Sequence, residues 1–168
     1  MPMKRLSFTL LFGVLAGGNV LGGRGDQPAE DKGKNELKKL QGAWRLLSVE
    51  TKGQTTKGYG KNFSLVIKGD QFEMTYLDAV AKGGFFGVEE KTVSGTLSLD
   101  TAKSPTRITL VHTEESAKLL GKKRATGIYR WDDGRLTICW HNPADKAPKE
   151  FTAKEGTDRA IFVLEKEP

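Results

Sequence analysis

From residue 43 onward, apolar and polar positions alternate with a period of two over many short segments. Phe63, Leu65 and Ile67 share one face of a run. Phe72, Met74 and Tyr76 do the same, as do Ile108, Leu110 and His112, then Leu136, Ile138 and Trp140, and finally Ala160, Phe162 and Leu164. Successive strand side chains point to opposite faces, so this pattern predicts a sheet with one buried side. The predicted strands are Ala43–Thr51, Phe63–Lys68, Gln71–Asp78, Val88–Leu99, Thr106–Thr113, Thr126–Trp131, Arg135–His141, Glu150–Lys154 and Arg159–Lys166. A short helix, Glu36 to Gln41, precedes them, with Asn35 as its expected cap and Gly42 as its stop.

The connections read as turns. Lys68-Gly69-Asp70-Gln71 and Asp132-Asp133-Gly134-Arg135 are tight hairpin candidates, because Gly and Asp tolerate positive φ. Asp100 to Pro105 is a further turn, and Leu119-Leu120 marks one short helical piece at most. No connection has a long helical period, which excludes βαβ units. Sequential antiparallel strands with one apolar face must hide it in a barrel or a sandwich. The expected fold is all-β: an antiparallel up-and-down barrel of eight to nine strands with a short N-terminal helix, the alternative being a β-sandwich. Nine runs do not close an antiparallel meander, so either Glu150–Lys154 is irregular or closure is imperfect.

The first 34 residues have a different character. Lys4 and Arg5 precede an apolar stretch from Leu6 to Ala16, and small residues follow. This is the layout of a secretory signal peptide, with Gly18 and Gly22 both suitable cleavage points. The stretch is shorter than the roughly 20 residues a spanning helix needs. The expected division is a signal peptide over 1–22, a disordered linker over 23–34 and a β-barrel domain over 35–168, placing the protein outside the cytoplasm with no stable membrane span after cleavage.

Composition narrows the functional classes. The formal charge is +6, of which Lys4 and Arg5 contribute two, and the other charges are interleaved by sign. The basic cluster Lys122-Lys123-Arg124 sits in a loop without interleaved aromatics, so no nucleic-acid partner is expected. A single cysteine, Cys139, excludes an internal disulfide. With two histidines and no nucleophile elbow, no catalytic group is assigned. Cys139, His141 and His112 are three zinc-ligand types, but Cys139 and His141 lie opposite the apolar stripe of their strand, and His112 lies on one. No metal and no cofactor are expected.

The segment Glu36-Leu-Lys-Lys-Leu-Gln-Gly42-Ala43-Trp44-Arg45-Leu46 resembles the opening of lipocalin-like domains, where a short helix leads into Gly-x-Trp. The resemblance implies that Gly42 turns the chain from helix to strand and that Trp44 plugs the closed end of a barrel. A late basic residue, Arg159 or Lys166, would lie across the Trp. The wider order of motifs resembles an uncharacterised planctomycetal family of exported domains. It runs through Leu40-Gln41-Gly42-Ala43-Trp44, Lys68-Gly69-Asp70-Gln71-Phe72, Gly95-Thr96-Leu97-Ser98-Leu99-Asp100, Ser104-Pro105, Gly127-Ile128-Tyr129, Leu136-Thr137-Ile138-Cys139 and Pro148-Lys149-Glu150-Phe151. That family has Arg before the last Pro, where this chain has Ala147.

An eight-stranded barrel is just wide enough to be filled by side chains or to hold one small ligand. The stripe after Trp44 and Leu46 turns polar at Ser48 and Glu50; Tyr76 is followed on its face by Asp78, and Leu110 by His112. This predicts a half-lined cup with a wet mouth. Its expected ligand residues are Tyr76, His112, Tyr129, Trp140, Ser48 and Glu50, and its expected partner is a small apolar or amphipathic ligand. The alternative is an interaction domain with a filled core, acting through loops Gly53–Lys61 or Val80–Gly87; an enzyme ranks third. No oligomeric state is written in the sequence.

Overall fold

The computed structural model describes residues 29–58, 62–82, 85–141 and 146–168. The expected signal peptide and the first part of the expected linker lie outside the described residues.

The period-two runs form the strands of one antiparallel sheet. In chain order the elements are α1 (Ala29–Leu40), β1 (Gly42–Thr51), β2 (Gln54–Lys57), β3 (Phe63–Lys68), β4 (Gln71–Lys82), β5 (Phe85–Asp100), β6 (Arg107–His112), α2 (Glu114–Leu120), β7 (Arg124–Asp132), β8 (Arg135–His141) and β9 (Arg159–Lys166). Each strand from β3 to β9 pairs with the next, and β9 pairs back onto β1 from Trp44↔Lys166 to Thr51↔Ala160. The sheet therefore closes into an up-and-down barrel, and the β-sandwich is excluded.

The parity of the barrel follows from β2 and β3. Both pair with the same edge of β1: β2 with Ser48–Thr51 and β3 with Gly42–Arg45. They act as two lengths of one stave, so nine strands make eight staves. The sequence reading missed β2, which lies in the expected loop Gly53–Lys61. It also placed a loop at Val80–Gly87, where β4 and β5 instead run on as a hairpin to the Lys82↔Phe85 pair.

Glu150–Lys154 is not a strand. It belongs to an irregular strap that crosses the outside of the barrel. Pro148 and Ala153 are buried, the Ala153 carbonyl accepts the Gly53 N–H at 2.7 Å, and Arg130 stacks 4.5 Å from the Phe151 ring centroid. A barrel whose edges are already paired has no ladder to offer another strand. The strap instead covers outward-facing apolar groups: Cys139, fully buried, lies with its sulfur 3.8 Å from the Glu150 carbonyl oxygen and 3.9 Å from that of Thr152. This is a free, buried thiol, whose pKa burial pushes up.

The helix is longer than the sequence predicts. It begins at Ala29 within the expected linker, and Asn35 lies inside it rather than capping it. Once Leu37 and Leu40 pack on the barrel core, adding turns upstream costs little, because nucleation rather than propagation is the expensive step. Gly42, at φ 111°, turns the chain from helix into β1. The expected hairpins are present: Gly69 has φ 62°, and Asp133 and Gly134 have φ 49° and 77°. Positive φ at both central residues is the type I′ arrangement that matches strand twist.

Candidate functional site

The two ends of the barrel differ. The turns β3–β4, β5–β6 and β7–β8 and the helix α1 gather at one end, and α2 with the β4–β5 hairpin at the other.

The first end is closed by side chains. Trp44 is 1% exposed, and its Nε1 donates to the Leu40 carbonyl at 2.8 Å. The Trp131 ring packs 5.8 Å from it, and Lys166 Nζ lies 5.7 Å from its centroid. Lys166, rather than Arg159, is thus the late basic residue across the Trp. Glu36 of α1 holds the helix over this plug. Its Oε2 accepts from Trp131 Nε1 at 2.8 Å and from the Tyr129 hydroxyl at 3.3 Å, while Oε1 accepts from Lys39 at 2.7 Å. Burial alone would raise the Glu36 pKa, but these three donors outweigh it and hold the carboxyl below its ordinary value. Tyr129 therefore belongs to the closed end and not to a cup. Its phenol is driven well above the usual range by burial and by the Glu36 carboxylate.

Ser48 and Glu50 do not face the interior. The β1–β9 register slips between Leu46 and Ser48, leaving Leu47 as an extra residue. A bulge of one residue reverses the face of everything after it. Val49, opposite Phe162, takes the inward position, and both pack on the core. Glu50 pairs with Ile161, which pairs with Cys139, and its charge acts on that thiol beneath the outer strap.

The open end holds a cavity of about 260 Å³, walled by Met74, Leu110, Ala125, Trp140 and Phe162 among others. Of the expected ligand residues, His112 and Trp140 both line it. Each ring sits across from a glycine on the neighbouring strand: Gly95 pairs with His112 and Gly127 with Trp140. A Cβ at Gly127 would come 2.7 Å from the Trp140 ring, so the bare backbone is what lets the indole lie there. Tyr76 is on the inward stripe above Met74 but lines a separate hollow with Asn62 and Phe63. Burial, partly offset by Lys91 and reinforced by Asp78, raises its phenol pKa.

The helix α2 shapes the mouth. Thr113 caps it, its Oγ1 accepting the Ser116 N–H at 3.3 Å, and Ser116 Oγ ties the helix to β5 by accepting the Ser94 N–H at 2.8 Å. The His112 N–H donates to the Lys123 carbonyl at 2.9 Å, which closes the connection and brings Leu120 and Lys122 to the cup. Alternation alone points to the apolar walls Met74 and Leu110, which lie on the stripes of Tyr76 and His112. It has no signal for Leu120 and Lys122, which arrive by a fold-back.

The His112 ring meets Phe72 edge-on at 5.6 Å, is 8% exposed, and has no hydrogen-bond partner at either nitrogen among the described residues. Burial and then the nearby Lys122 charge lower its pKa, keeping the imidazole neutral. Cys139, on the outer face, does not converge with it.

A closed up-and-down barrel, plugged at one end by a helix and a Gly-x-Trp indole and hollow at the other, defines a lipocalin-like fold. Among solved structures, a lipocalin-like protein from Bacteroides uniformis aligns with 77% of this chain and 99% of its own, at 16% identity and a TM-score of 0.48. No family model matches the chain, and no curated protein matches it.

Proposed function

We propose that this protein is an exported, non-enzymatic binding module that holds a small apolar or amphipathic ligand at the open end of its barrel. The observation that carries the reading is the 260 Å³ cavity with its apolar walls. It favours a carrier over an interaction domain with a filled core. Cavities that bind small molecules combine apolar lining with a few polar groups, and His112 supplies one here. At about 30 Å³ per non-hydrogen atom, the cup accepts roughly nine such atoms. Export rests on the basic and apolar layout of residues 4–16.

Native mass spectrometry of the protein purified from its own host tests this. The expected spectrum contains a bound species of roughly 130 Da above the polypeptide mass, the mass of about nine carbon or oxygen atoms with their hydrogens, lost on denaturation. A bare polypeptide mass, together with no response of Trp140 fluorescence to small amphiphiles, would overturn the carrier reading.

A further inference from the structure

We propose that the ligand class of the cup is a small organic anion, an apolar body of a few carbons ending in a carboxylate, with His112 and Lys122 as the residues that recognise the acid head. This rests on the cup being the ligand site. The first ground is the imidazole itself. A buried polar group without a partner is rare and destabilising, because its lost water contacts are not replaced. His112 presents two such atoms against Phe72 and apolar walls, and none of the described residues completes them.

The second ground is what lies on the other side of that ring. His112 and Lys122 line both the apolar cup and a second hollow of about 530 Å³ beneath α2, formed with Glu114, Ala117, Lys118, Gly121 and Lys123. The one carboxylate among its described lining residues, Glu114, is paired with Lys118 at 3.4 Å. Lys122 and Lys123 have no ion pair among the described residues. His112 thus stands in a wall between an apolar space and a positively charged one. A cationic head would meet Lys122 unfavourably. A carboxylate takes the imidazole N–H as a charge-assisted hydrogen bond and the ammonium as its counter-charge, while its chain fills the cup. His141 also lines the cup.

The test uses three probes matched in length, heptanoate, heptanol and heptylamine, titrated into the purified protein by calorimetry and Trp fluorescence. Heptanoate is expected to bind at least tenfold more tightly than the other two. His112→Phe and Lys122→Gln should each bring heptanoate to within about threefold of heptanol measured on the same variant. Lys122 is exposed, so K122Q keeps the test valid if H112F does not fold. Equal binding of heptanoate and heptanol, or tighter binding of heptylamine, would overturn the anion proposal and leave the cup standing. Binding of none of the three would overturn both.

Discussion

Replacing Trp44 by Ala probes the closed end on which the cup depends. Trp44 is the largest of the fully buried side chains. An aromatic of its size buries about 200 Å², which at about 25 cal/mol per Å² amounts to roughly 5 kcal/mol of transfer free energy. Measured Trp-to-Ala changes in cores cost about 3–5 kcal/mol. The variant also strips the Leu40 carbonyl of its donor and Trp131 of its ring neighbour. At roughly 4 °C per kcal/mol for a domain of this size, Tm should fall by about 12–20 °C. Thermal unfolding followed by near-ultraviolet circular dichroism measures it. Trp140→Ala is the control: one side of that ring already borders a cavity, so its removal should cost less than half as much. A Tm drop below about 4 °C for W44A, or a larger drop for W140A, would refute the assignment of the plug and the cup to opposite ends.

Two further outcomes are expected. Glu36 has a depressed carboxyl pKa, so its ionised form stabilises the fold above the unfolded-chain value near 4.3, and that gain is lost as pH falls through the folded value. The Tm difference between wild type and Glu36→Gln should be full at pH 7 and close below about pH 4; a gap unchanged at pH 3 would show that the carboxylate does not anchor α1 through its charge. Gly127→Ala places a Cβ 2.7 Å from the Cys139 carbonyl oxygen as well as against Trp140. It should cost about 1–3 kcal/mol in urea unfolding and weaken probe binding several-fold, since overpacking displaces the indole. An unaltered urea midpoint would mean that the two strands do not approach as described.

Local pattern made most of the barrel legible. The stripes Phe63-Leu65-Ile67, Ile108-Leu110-His112 and Leu136-Ile138-Trp140 each turn one face inward, because strand side chains alternate whatever their partner. The I′ hairpin at Asp133-Gly134 was equally readable, since its φ values belong to those residue types. The same reasoning failed beyond Leu46. Nothing in the segment Leu46-Leu47-Ser48 announces an extra residue, because a bulge exists only relative to the partner strand, here β9. That slip sends Ser48 and Glu50 outward and makes Val49 part of the core.

Trp44 as a buried indole, the strand-turn rhythm and the stripes carrying His112 and Trp140 were therefore determined by the sequence alone. Tertiary structure decided the rest: that β2 and β3 share one edge, that Glu150–Lys154 is a strap, that Tyr129 serves the plug, and that Lys122 folds back beside His112. Alternation and turn chemistry act within a few residues and survive without context. Closure, register and the meeting of distant loops depend on which strands pair, and that is settled only when the whole sheet closes.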